Sequence, residues 1–109
     1  MAERLGEIRV ADNVVAVVAG VAAAEVEHVT LRPGAFYQDW AKKLNGGAKG
    51  IQVAVLDGQV NIGIRVSVKY GTPIHRACHA LQERVKESVE EITGLFVEAV
   101  DVYVEAVDI

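Results

Sequence analysis

The clearest pattern of apolar and polar positions lies in the middle of the chain. Over residues 60–69, five apolar side chains alternate with five polar or small residues, which predicts a strand with one buried face. A shift of one residue would turn all the apolar side chains to water, so the register of this strand is well specified. Residues 51–56 predict the preceding strand, and Asp57-Gly58 between the two favours a type I′ hairpin turn.

Two stretches have the apolar spacing of helices. Residues 14–24 are apolar apart from one Gly and predict a helix of the core, with Asp12 as its N-cap. A second helix is expected to start at Thr72-Pro73, with Thr72 as the cap and Pro73 as the first helical residue, and to end at Gly94. Its apolar stripe lies opposite a charged face and comprises Ile74, Ala77, Cys78, Leu81, Val85, Val89 and Ile92.

Three further strands complete the expected fold, at residues 7–10, 27–31 and 95–107. Phe36, Trp40 and Leu44 are spaced by four, which predicts a short helix within residues 35–44. The expected order is therefore β-α-β-(short α)-β-β-α-β. This order predicts an α/β (α+β) fold of two layers, in which two main helices pack on one face of a mixed four- to five-stranded sheet.

Length and composition predict one domain, residues 1–109, with a packed core. The chain is 51% hydrophobic and 24% charged, which excludes a disordered chain. A net charge of -4 argues against nucleic acid as a partner, and eight acids against two bases make residues 81–109 an acidic surface. The longest apolar run is too short to span a bilayer, and the first residues lack a secretion signal. With its single Cys78, the chain is expected to be cytoplasmic, without direct membrane insertion.

Few residues are candidates for chemistry. His75, Cys78 and His79 lie within about one helical turn and are weak candidates for a metal site, because a closed zinc site needs a fourth ligand. A Cys–His nucleophile would need an exposed, activated Cys78, whereas its place in the apolar stripe predicts burial. We therefore predict no catalytic residue and no cofactor. Metal or small-ligand binding at these three residues is the alternative function.

One basic and aromatic segment is a possible interaction surface for an anionic partner. A loop helix that caps the core is the competing interpretation of the same segment. The residues concerned are Phe36, Tyr37, Trp40, Lys42 and Lys43.

Four stretches carry a resemblance to a known family through their order and spacing. They are IRVAD at 8–12 with EVEHV at 25–29, GIQV at 50–53, VKYGTPI at 68–74 with QERVK at 82–86, and TGL at 93–95 with VDVYV at 100–104. In these stretches the chain resembles the alkaline shock proteins, also described as envelope stress response proteins, which occur mainly in Gram-positive bacteria. It departs from them at His28, where members often have Gly, and in residues 35–50.

The resemblance implies a cytoplasmic protein of the cell-envelope stress response, and it supplies no catalytic residues. Some relatives lie beneath the membrane by binding a membrane-anchored partner, and some self-assemble. We therefore expect a non-enzymatic interaction domain that forms a homo-oligomer and has a small membrane-anchoring protein as a partner. If the strand at 95–107 lies at a sheet edge, it is a candidate for pairing between copies.

Overall fold

The computed structural model describes residues 5–32 and 50–109. The elements in these ranges are, in order, helix α1 (Asp12–Ala24), strands β1 (Val29–Leu31), β2 (Ile51–Leu56) and β3 (Gln59–Lys69), helix α2 (Ile74–Thr93) and strand β4 (Phe96–Asp108). Both main helices, the hairpin strands and the long final strand are confirmed. The short helix expected within residues 35–44 lies outside the described residues.

Strand β3 is the centre of a four-stranded mixed sheet. On one side it pairs antiparallel with β2 through residues 59–64 and with β1 through residues 66–68, so that β1 and β2 lie end to end. On its other side β3 pairs parallel with β4 along its whole length. This arrangement confirms the α+β class and the mixed sheet that the sequence predicts.

The ends of β1 and β2 meet at a single residue of β3, Arg65. The Arg32 N–H donates to the Arg65 carbonyl, and the Arg65 N–H donates to the Gly50 carbonyl. In a regular antiparallel sheet, the single residue opposite Arg65 would form both of these hydrogen bonds. Arg32 and Gly50 therefore share one position in the ladder, opposite Arg65.

The core lies between one face of the sheet and the two helices. Alternate residues of β3 from Val60 to Val68 are at most 1% exposed, which confirms the alternation that the sequence shows. Burial of each such side chain contributes about 1.5–3 kcal/mol. Both helices complete the core. Helix α1 contributes mostly alanines: Val15, Ala16, Ala19, Ala22 and Ala23. Helix α2 contributes mostly larger side chains: Ala77, Leu81, Val85 and Val89.

The prediction of a strand at residues 7–10 is wrong. In the structure these residues have no regular secondary structure, and Ile8 is 93% exposed. The polar side chains of the segment bond to each other, Arg9 Nε to Glu7 Oε1 at 2.9 Å. Two apolar residues are too few to offset the entropy lost when a strand orders on a sheet.

The starts of both helices differ by one residue from the expected positions. Asp12 is the first helical residue of α1 and makes no capping hydrogen bond, whereas Ala11 has the N-cap position. In the first turn the Asp12 carboxylate still interacts favourably with the helix dipole. Pro73 takes the N-cap position of α2, so Thr72 lies outside the helix. Gly94 ends α2 with a φ of 76°, as expected.

Two turns need backbone conformations in the left-handed region. Asp57 and Gly58 have φ values of 52° and 75°, which confirms the type I′ character of the hairpin. His28, between α1 and β1, has a φ of 68°, and its carbonyl accepts from the Lys69 N–H. The left-handed region costs an ordinary residue about 1–2 kcal/mol. This cost is a physical reason for the Gly that the resemblance led us to expect at position 28.

Candidate interaction surfaces

His75, Cys78 and His79 lie near the start of α2. Cys78 is partly buried, and this loss of water contact raises the pKa of its thiol. A raised pKa leaves less thiolate near neutral pH, the opposite of what a nucleophile requires. His79 Nε2 lies 2.8 Å from Glu83 Oε1, one turn further along the helix surface. Within residues 5–32 and 50–109, no group of three or more His, Cys, Asp or Glu side chains could hold a metal ion.

The basic and aromatic surface predicted from the sequence lies outside the described residues. This applies to Phe36, Tyr37, Trp40, Lys42 and Lys43. Their role as an interaction surface stays a prediction.

Strand β4 lies at an edge, because β3 is its only partner among the described strands. Four acidic side chains lie along it: Glu98, Asp101, Glu105 and Asp108. The register with β3 shifts twice, and each shift leaves one glutamate, Glu98 or Glu105, without a partner residue on β3. Charged residues and bulges are common protections of an edge against pairing. Two copies that paired through β4 would also bring like charges together.

The sheet face opposite the helices carries a shallow depression of about 200 Å³. Gly63, in the middle of β3, forms its floor, and a Cβ added there would lie 3.6 Å from the Tyr103 ring. Gln52, Arg65 and Glu105 complete the lining, and Arg65 Nε lies 4.0 Å from Glu105 Oε2. Because its two charged groups face each other, the depression has little net charge with which to attract a charged ligand.

The side of α1 that faces away from the sheet is apolar and open. Val14, Val17 and Val21 are 45%, 49% and 61% exposed, and Ala24 is exposed beside them. We call these four residues the outer stripe. At 3.6 residues per turn, its centre lies on the opposite side of the helix from the buried residues of α1. The expectation of a core helix is therefore correct for one side of α1 only.

The lack of polar side chains in residues 14–24 is the sequence signal for the outer stripe. Residues 14–24 hold no polar side chain at all, yet a helix on a two-layer fold buries only one side. Apolar residues in excess of one side must therefore face solvent or another molecule. The second helix shows the contrast, because its outer face carries Glu83, Glu87 and Glu91.

A family model for proteins with a cell envelope-related function matches residues 1–109. The chain belongs to this family, the alkaline shock protein family. The match confirms the resemblance stated from the sequence and implies a cell envelope-related function for this chain.

Relatives from two bacteria support the assignment. The chain is 31% identical over 111 residues to protein YloU of Bacillus subtilis (strain 168), a match that covers 95% of this chain and 90% of YloU. It is 28% identical over 103 residues to YqhY of the same bacterium, covering 92% of this chain and 76% of YqhY. It is 30% identical over 109 residues to Spy1614 of Streptococcus pyogenes serotype M6, covering 95% of this chain and 89% of Spy1614. All three relatives are named as uncharacterized proteins, and no solved structure matches the chain.

A helix that spans a bilayer needs about 20 predominantly apolar residues. Neither α1 nor α2 is both long enough and apolar enough to cross a bilayer.

Proposed function

We propose that the chain is a non-enzymatic interaction domain of the bacterial cell-envelope stress response or of envelope homeostasis. It acts in the cytoplasm through self-association and through a small membrane-anchored protein that holds it at the membrane. The observation that carries this proposal is the match of all 109 residues to a family with a cell envelope-related function. The raised pKa of Cys78 also disfavours a thiolate nucleophile at this position.

The outer stripe supports the self-association part of the proposal. Soluble monomers seldom expose contiguous apolar patches larger than a few hundred Å², and a large patch with polar surroundings usually marks an interaction site. Here the stripe is bordered by Asp12 and Asn13 at one end and by Glu25 at the other. Contact with another molecule would remove these valines from water.

Static light scattering tests self-association directly. We expect the mean mass of the purified chain to rise above the monomer mass of 11.7 kDa as its concentration increases from about 1 to about 500 µM. The physical reason is burial of the outer stripe, which becomes favourable once copies are concentrated enough to offset the entropy of association. A mass that stays at 11.7 kDa at every concentration would contradict self-association.

A further inference from the structure

We infer that the outer stripe of α1 is the contact between two copies of this chain, which pack their α1 helices antiparallel about a two-fold axis. This inference rests on the self-association proposed above and adds to it a surface, an orientation and a partner residue for each position. It follows from the spacing of the stripe, from the distribution of charge over the molecule, and from the dipole of α1.

The spacing of the outer stripe suits a second helix. Its residues follow each other at intervals of three, four and three, the alternation found at the a and d positions of a coiled coil. Such a row is a narrow seam, and another helix with the same row covers it well. Valine at three of the four positions supplies apolar area, and the exposed Ala24 allows close approach at one end.

The distribution of charge makes this seam the surface at which two copies approach most easily. The whole chain has a net charge of -4, so copies repel each other in general. Exposed glutamates lie on the outer face of α2, and acidic side chains follow the β4 edge. The outer stripe differs from both, because residues 14–24 contain no ionisable side chain. Because the outer stripe carries no charge, two copies that meet through it bring no like charges together within the contact.

The ends of α1 favour the antiparallel orientation. Asp12 is exposed at the N-terminal end, whereas the Arg84 guanidinium lies at the C-terminal end, where its Nη2 donates to Glu25 Oε2 at 2.7 Å. At 3.6 residues per turn, Asp12 lies on the sheet side of α1, so neither orientation brings it into the contact. A parallel pair would place like ends of the two helix dipoles side by side. Opposite helix dipoles align favourably in the antiparallel pair.

The row of positions is symmetric about residue 19, which fixes the contacts within the pair. Antiparallel packing places Val17 opposite Val21 of the partner subunit and Val14 opposite Ala24 of the partner subunit. Each helix has 13 residues and is about 20 Å long. The contact is therefore smaller than a standard stable interface, and we expect a weak, reversible dimer.

A substitution within the outer stripe tests whether this surface forms the contact between the two copies. In sedimentation velocity, Val17→Glu is expected to weaken dimerisation at least about tenfold, because it would bury a carboxylate in an apolar contact. The matched control is Ile92→Glu, since Ile92 is 67% exposed on α2, and this variant is expected to associate like the native chain. Equal association of Val17→Glu and the native chain would overturn the inference, as would equal weakening by both variants.

The fold of Val17→Glu is checked in the same experiment by urea unfolding. Val17 is half exposed, so we expect its free energy of unfolding as a monomer to change by less than about 0.5 kcal/mol. A large loss of stability in the monomer would show that another part of the same chain covers the seam, and this would also overturn the inference. If the native chain never associates, both the proposed self-association and this inference are contradicted. If the native chain associates and Val17→Glu associates equally well, only this inference is contradicted.

Disulfide cross-linking tests the orientation. In a Cys78→Ala background, a mixture of Val17→Cys and Val21→Cys chains is expected to form mostly mixed disulfides under mild oxidation, because these positions face each other in the antiparallel pair. Ile92→Cys in the same background is the control and is expected to remain uncross-linked. A majority of disulfides between identical variants would show a parallel pair and overturn the proposed orientation.

Discussion

Replacement of Ile64 by Ala is expected to lower the free energy of unfolding by about 3–4 kcal/mol. Ile64 has no exposed surface and lies near the centre of β3, opposite Ile51 on one side and Val102 on the other. Loss of three carbon atoms there removes buried apolar area and leaves a cavity, because strands on both sides hold the surroundings in place. Urea unfolding followed by circular dichroism measures the change.

The control for Ile64→Ala is Leu56→Ala in the same hairpin. Leu56 is 73% exposed at the end of β2, and its replacement is expected to change the free energy of unfolding by less than about 0.5 kcal/mol. A loss below about 1 kcal/mol for Ile64→Ala would show that β3 is not the centre of the core.

Gly50→Ala is expected to destabilise the chain by about 2–5 kcal/mol, although it adds a single methyl group. Gly50 has a φ of 71°, and a Cβ at this position would meet the backbone carbonyl of Arg32 far inside contact distance. The left-handed backbone costs an alanine about 1–2 kcal/mol, and relief of the clash costs about 1–3 kcal/mol more. The oxygen belongs to the backbone, so it cannot rotate away as a side chain would, and a shift of Arg32 would also disturb the hydrogen bond from its N–H to the Arg65 carbonyl.

Gly58→Ala separates the two causes. Gly58 has a similar φ of 75°, but no atom lies within 4 Å of its added Cβ, so only the backbone cost of about 1–2 kcal/mol applies. Urea unfolding of both variants gives the difference. If both variants lost the same stability, Arg32 and Gly50 would not meet at Arg65 as described.

The sequence predicts the elements with strong patterns because one physical requirement dominates each of them. Burial of alternate residues fixes β3, and a pair of residues that tolerate positive φ fixes the turn at Asp57-Gly58. The second helix is equally clear, since Gly94 adopts the left-handed conformation expected of a helix end. Each of these features depends on residues that are close together in the sequence.

The parts that the sequence did not predict depend on contacts between distant residues. Residues 7–10 alternate as a strand does, but the strand does not form, since a strand also needs a partner that the alternation does not specify. Gly50 resembles a loop glycine in the sequence, and only the pairing with Arg65 shows why a side chain cannot fit there. Such constraints become visible only once the register of the sheet is known.

The candidate surfaces show the same division. The residue types of His75, Cys78 and His79 suggest chemistry, whereas the structure shows a partly buried thiol and a surface contact of His79 with a glutamate. The apolar run at residues 14–24 predicts a core helix, and the structure exposes Val17 and Val21 within it. Residue type alone does not reveal which side of α1 the sheet covers.

Co-sedimentation of the purified chain with membranes tests the central claim, that a membrane-anchored protein holds this domain at the envelope. Three samples are compared: neutral phosphatidylcholine vesicles, membranes from the native cells, and the same membranes after protease treatment and removal of the protease. We predict that the chain sediments with the untreated native membranes alone, because the anchor is a protein. Sedimentation with bare vesicles or with protease-treated membranes, or a failure to sediment with native membranes, would contradict the claim.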